Sequence, residues 1–142
     1  MALLFVPSAW VFGLPEPTPN LPTIAGSHRD DRPTLPTSPA EYDDTWTKIS
    51  SHDDGKIDYA VRFDKQGNKM MEAFDTHHNG FMTDFLFYED GIRVREEVDS
   101  KHQRRIDLWV YFYEGIYVSR FERSTKADGI VDIVKIFGTE KK

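Results

Sequence analysis

An internal repeat constrains this chain more than any other feature. Gly67, Gly91 and Gly115 follow one another at intervals of 24 residues, and each has an aromatic residue four positions before it: Phe63, Phe87 and Tyr111. A second series runs in phase, with Gly55, Gly80 and Gly129 preceding Asp58, Asp84 and Asp132; in the third copy Arg104 stands at the glycine position and Asp107 follows. Asp75, Asp99 and Ser124 close successive units of 24 to 25 residues. The units read SHDDGKIDYAVRFDKQGNKMMEAF, DTHHNGFMTDFLFYEDGIRVREEV, DSKHQRRIDLWVYFYEGIYVSRFER and a shortened STKADGIVDIVKIF. A repeat of this length is one supersecondary unit, which buries its apolar face only by stacking on its neighbours.

Within a unit the hydrophobic period is two, the signature of strands. Ile92, Val94 and Val98 alternate with Arg93, Arg95 and Glu97, and Ile116 and Val118 alternate with Tyr117 and Ser119. Asp64–Asn68 and Glu89-Asp90-Gly91 read as hairpin turns, with glycine supplying the positive φ. Each unit is then strand, turn, strand, with a longer loop to the next, and chain order predicts an all-β antiparallel meander of about seven strands that starts at Thr45–Ile49. The strand Ile106–Tyr113 is apolar on both faces, so it belongs near the centre with cover on each side; the N-terminal segment or a partner protein is the expected cover.

All eight prolines lie between Pro7 and Pro39, outside the repeats, where a missing N–H would cost strand pairing. Residues 1–39 therefore read as an extended proline-rich arm and 40–142 as the β-hairpin repeat domain. Between them, Ser38-Pro39-Ala40-Glu41 reads as a capping box that starts a short helical turn near residue 40. The segment Ala2–Leu14 is nearly all apolar, lacks a basic start and a small-residue cleavage site, and is interrupted by Pro7, so it does not read as a secretory signal. The arm is either a tail without fixed structure or a docking arm. Exposed apolar area favours the second reading, with Phe5, Trp10, Phe12 and Leu14 inserted into a partner protein or a membrane interface.

Composition removes several function classes. A net charge of −6 argues against nucleic acid as a partner, and the basic residues Lys101–Arg105, Arg93, Arg95, Arg120 and Arg123 have Glu96, Glu97, Glu114 and Glu122 among them, which predicts cross-strand ion pairs on a solvated face. Zero cysteines exclude disulfides, thiolate metal sites and cysteine nucleophiles. No glycine-rich phosphate loop, metalloprotease histidine pair or serine nucleophile motif occurs, so no enzyme activity and no cofactor are expected.

The loop consensus, an Asp/Ser/Thr-rich stretch with Asp-Gly and then Ile-Asp, aromatics and a Phe/Tyr four residues before glycine, resembles the aspartate-rich β-hairpin repeats of bacterial exported proteins and lipoproteins over residues 50 to 137. Its rhythm is similar to that of membrane-occupation-and-recognition-nexus (MORN-type) repeats. The resemblance implies an extracytoplasmic or peripheral membrane location and a scaffold or binding role, without catalysis. It also raises calcium, with Asp54, Asp58, Asp75 and Asn79 as the ligand candidates. Calcium takes six to eight hard oxygens, whereas His52, His77, Lys101 and Lys126 occupy mid-loop positions, so metal-free structural turns are the favoured reading and the lysines stand where a cation would sit. His52, His77 and His102 recur every 25 residues beside His78. Adjacent loops would stack them into a row open to three readings: solvated loop histidines, a pH-sensitive interface or a borderline-metal site. The expected function is a non-catalytic accessory or scaffold subunit of a larger, membrane-associated assembly that binds other protein subunits through residues 1–39; the alternative is an independent exported ligand- or calcium-binding module.

Overall fold

The computed structural model describes residues 28–30, 32 and 34–137. It contains strands β1 (His28–Arg29), β2 (Trp46–Ile49), β3 (Tyr59–Phe63), β4 (Lys69–Phe74), β5 (Asp84–Glu89), β6 (Ile92–Val98), β7 (Leu108–Tyr113), β8 (Tyr117–Arg123), β9 (Ile130–Val131) and β10 (Ile133–Ile136). Eight of them form one antiparallel meander in the order β10-β8-β7-β6-β5-β4-β3-β2, and β1 pairs with β9. The all-β meander is as expected, with one strand more than the predicted seven because the shortened fourth unit contributes β10.

At one end of the sheet the strands are joined by tight turns. Asp90-Gly91 and Glu114-Gly115 both carry positive φ on each residue (49° and 76°, 52° and 73°), the twist-matched hairpin geometry. Gly115 is required twice over, since a Cβ there would also sit 3.1 Å from Ile92 Cγ2. Beside each turn the pairing register shifts, at Arg62/Phe63, Phe87/Tyr88 and Tyr111/Phe112, so the recurrent aromatic marks a recurrent β-bulge.

At the other end four nine-residue loops recur: 50–58, 75–83, 99–107 and 124–132. The ninth residue of each reaches back seven positions to secure the second. Ser51 donates N–H and Oγ to Asp58 Oδ1 (3.0 and 2.7 Å), and Ser100 donates N–H and Oγ to Asp107 (2.6 and 2.7 Å). Thr125 N–H donates to Asp132 at 2.9 Å, and Thr76 Oγ1 meets Thr83 Oγ1 at 2.9 Å. The second loop corrects the sequence assignment: Thr83, not Asp84, holds the ninth position. Strand alternation then sends Asp84 to the opposite face, where it pairs with Phe74 and Val98. Left-handed backbone recurs at the fourth position (Asp53, His78, His102, Ala127) and at the sixth, where Arg104 takes φ +60° in place of glycine.

Two rows of side chains cross the first face of the sheet. One runs Lys48, Ala60, Ala73, Phe85, Glu97, Trp109, Glu122, Val134; the other runs Trp46, Arg62, Met71, Phe87, Arg95, Tyr111, Arg120, Ile136. Ala60, Ala73, Phe85 and Trp109 are fully buried there. The eighth residue of every loop is apolar (Ile57, Met82, Ile106, Val131), and Ile57, Met82 and Ile106 close over the core formed with Tyr42 and Leu35. The second face carries Tyr59, Phe74, Asp84, Val98, Leu108 in one row and Val61, Glu72, Leu86, Glu96, Val110, Phe121 in the next.

The described residues before β2 act as a strap across the first face, from the last repeat to the first. His28 and Arg29 pair with Val131 and Ile130, and Asp30 N–H donates to Gly129 O at 2.7 Å. Farther on, Met82 N–H donates to Thr37 O at 2.7 Å and the Tyr42 hydroxyl to Pro36 O at 3.0 Å. Tyr42 then stacks on Trp46 with ring centres 4.5 Å apart. Residues 28–37 fall within the proline-rich arm, yet they are tied to the repeats: proline removes a donor but leaves carbonyls free to accept. The helical turn near residue 40 is a single 3-10 turn, Pro39–Glu41, capped by Ser38 Oγ, which accepts from Ala40 N–H at 3.4 Å.

Candidate functional site

The loop end of the sheet brings the histidines together in a pattern set by loop position. The third residue of one loop meets the fourth residue of the next. His52 and His78 rings lie 4.1 Å apart edge-on, and His77 and His102 rings lie 3.7 Å apart. The expected row is thus two offset pairs, because His78 and His102, with φ of +53° and +56°, are the residues in the left-handed position. The first pair also has a carboxylate: His52 Nδ1 is 2.9 Å and His78 Nδ1 3.6 Å from Asp58 Oδ2. Hydrogen bonds from Ser51 and then from His52 hold the Asp58 carboxyl down at about 2.

Oxygens considered for calcium accept hydrogen bonds from N–H groups of their own loops. Asp54 Oδ1 accepts from Lys56 N–H at 3.0 Å, Asp75 from the N–H groups of His77 (3.1 Å) and Gly80 (2.6 Å), and Asn79 Oδ1 from Phe81 N–H at 3.0 Å. These are turn-forming Asx contacts within each loop. Lys101 does not fill its own loop; its Nζ donates to Thr125 O of the next one.

On the first face, Arg32 of the strap lies over the Trp109 ring, 4.1 Å from its centre, with Nη1 2.9 Å from Glu122 Oε2 and Nε 2.6 Å from Asp30 Oδ1. The basic residues Arg95 and Arg120 lie over Phe87 and Tyr111, each at 4.1 Å, and pair along their own strands with Glu97 (2.8 Å) and Glu122 (2.9 Å). The expected cross-strand ion pairs are therefore same-strand pairs two residues apart. The cross-strand partner of each arginine is an aromatic ring, a contact that the charge pattern alone does not reveal. Burial, partly offset by Arg95 and Arg32, raises the Glu97 carboxyl.

On the second face Asp84 is half-buried, and its Oδ1 makes no hydrogen bond among the described residues. Burial and then the Glu96 carboxylate raise it to about 6. Nearby, Glu72 accepts from Tyr59 (2.7 Å), Lys69 (2.7 Å) and Tyr88, which gathers a polar cluster at the β3–β5 side of that face.

A groove of about 640 Å³ lies at the turn end of β7 and β8, lined by Val94, Phe112, Tyr113, Tyr117, Ile136 and Phe137 among others. Beside it Ile116 and Tyr117 are 72% and 62% exposed. The groove borders the end of β10, the last strand of the sheet, which pairs with β8 alone among the described residues. Its lining includes Tyr113, from the strand expected to be covered on each side, and Val118 and Tyr117, from the alternating run after Gly115. The proposed docking residues Phe5, Trp10, Phe12 and Leu14 lie outside the described residues. Among the described residues no helix is long and apolar enough to cross a membrane.

No protein-family model matches the chain, and no curated protein matches it. Among solved structures, a chain from the crystal structure of accessory secretory protein 1, 2 and 3 in Streptococcus pneumoniae is similar with a TM-score of 0.44 and 20% identity, over 70% of this chain and 20% of that one. This chain spans about a fifth of the length of that structure's chain.

Proposed function

We propose that the protein is a non-catalytic accessory subunit of a larger assembly at a membrane, a degenerate β-hairpin repeat module that holds an extended apolar segment of a protein partner. The observation that carries this reading is the aromatic groove along the open end of the meander. An extended segment added to β10 gains main-chain hydrogen bonds from the sheet edge, while alternate side chains enter the groove between Tyr117, Phe112 and Phe137. Tyrosine suits such a surface, since it offers a large apolar area at low rotamer cost and keeps a polar tip. In the same reading the apolar residues Phe5, Trp10, Phe12 and Leu14 dock the N-terminal arm on a neighbouring subunit or in the membrane interface, and the assembly is extracytoplasmic or peripheral.

Photo-cross-linking in the native host tests it. A photoreactive residue at Tyr117 gives one discrete adduct with another protein, and the same residue at Asp53 on the loop end gives none. A chain that migrates as a monomer in native extract and forms no Tyr117 adduct overturns the reading, as does an adduct with a second copy of itself. Deleting residues 1–27 tests the arm separately: co-purification with the partner at unchanged yield removes the arm from the proposal.

A further inference from the structure

We infer that His52, Asp58 and His78 form a binding site for one first-row divalent cation, with zinc the best match, clipping the first loop to the second. Three donor atoms, one from each residue, lie within 4.8 Å of one another. Zinc bonds imidazole nitrogen and carboxylate oxygen at about 2.0–2.2 Å, so neighbouring donors of a tetrahedral ion stand about 3.3–3.5 Å apart. The two distances to Asp58 Oδ2, 2.9 Å from His52 Nδ1 and 3.6 Å from His78 Nδ1, bracket that separation. Closure around an ion needs side-chain rotations that bring the two imidazole nitrogens, within 4.8 Å of each other, to that separation as well.

The carboxylate is already held. Ser51 donates its N–H and hydroxyl to Asp58, fixing the orientation of the ligand as a second set of contacts does in metal sites. The two histidine side chains are 58% and 51% exposed, so they are substitutable without disturbing the core. Two imidazoles and one carboxylate select zinc or its neighbours in the first row over calcium, which wants oxygen alone. A tetrahedral ion held by three protein atoms keeps one position for water or for a donor from another molecule.

The repeat supplies its own comparison. The next junction along the meander also brings two histidines together, His77 against His102, but its ninth loop residue is Thr83. The junction after that keeps the carboxylate of Asp107 but has Lys101 and Ala127 at the histidine positions. Two histidines and a carboxylate coincide only at the first junction.

Zinc chloride titrated into the full chain, followed by calorimetry and by the histidine ring resonances in NMR, tests the inference. The expected result is saturation at one equivalent, with His52 and His78 ring signals shifted. His52→Ala and His78→Ala should each weaken binding at least tenfold, whereas His77→Ala and His102→Ala leave it within twofold. Circular dichroism verifies that each variant keeps its strand signal. Absence of binding tighter than millimolar overturns the inference. So does unchanged affinity in His52→Ala and His78→Ala, or a loss that follows His102→Ala instead.

Discussion

Arg32 and Trp109 are 77 positions apart in the chain, and the guanidinium of one lies 4.1 Å above the ring centre of the other. Glu122 holds the same guanidinium at 2.9 Å. This contact fastens the strap over the third repeat, and it makes a residue outside the repeats part of what shields Trp109 from water. A cation over a partly desolvated indole contributes ~1–2 kcal/mol, and loss of the Glu122 partner adds to that. Arg32→Ala should therefore lower unfolding free energy by about 2 kcal/mol in urea titrations. Arg32→Lys should restore less than half, because an ammonium cannot stack on the ring and bridge to Glu122 in the same way.

Asp84 predicts a pH dependence with a defined sign. Its folded-state carboxyl, at about 6, lies above the ordinary 3.8, so the folded chain holds that proton more tightly than the unfolded chain does. The stabilising contribution is complete below about pH 4 and is lost as pH rises through 6. Asp84→Asn removes the penalty and should stabilise the protein at pH 7–8 by about 1–2 kcal/mol, allowing for solvent around a half-buried group. At pH 4 the variant and the parent should unfold within about 0.5 kcal/mol of each other. Urea titrations at the two pH values check it.

Asp107 is fully buried and receives both the N–H and the hydroxyl of Ser100. Asp107→Ala would strand those donors inside the loop, a cost of about 2–4 kcal/mol. Amide exchange should then quicken across 99–107 well before it changes in the first loop, since each loop is secured by its own ninth residue.

Glu114 sits at φ +52° in the turn before Gly115, a conformation asparagine adopts more readily than glutamate. Glu114→Asn should raise stability by about 0.5–1 kcal/mol. A thermal melt showing a lower midpoint would contradict this account of the turn.

Millimolar calcium should leave the melting temperature unchanged, because Asp54, Asp75 and Asn79 direct their oxygens to N–H groups of their own loops. A rise of several degrees would show that these contacts yield to a cation.

Much of the fold was legible because it is local. Glycine spacing gave the turns, alternation gave the strands, and prolines, which cannot donate to a ladder, marked where the ladder begins. Thr83 was not legible: aspartate fills the ninth position in the other three loops, so Asp84 looked like the equivalent, although loop length places Thr83 there. The histidine pairs were half legible, since their 25-residue recurrence put them on one side of the sheet, whereas the left-handed backbone at His78 and His102 decided which rings meet.

By itself the sequence determined an antiparallel meander with tight glycine turns at one end and aspartate-rich loops at the other, because backbone φ preference and side-chain alternation act over a few residues. Tertiary structure alone decided that Arg32 and residues 34–42 strap the first face, that Arg95 and Arg120 lie over rings rather than against carboxylates across the strands, and that His52, Asp58 and His78 converge. These contacts join loops and strands through the register and twist of the whole sheet, which no short window of sequence contains.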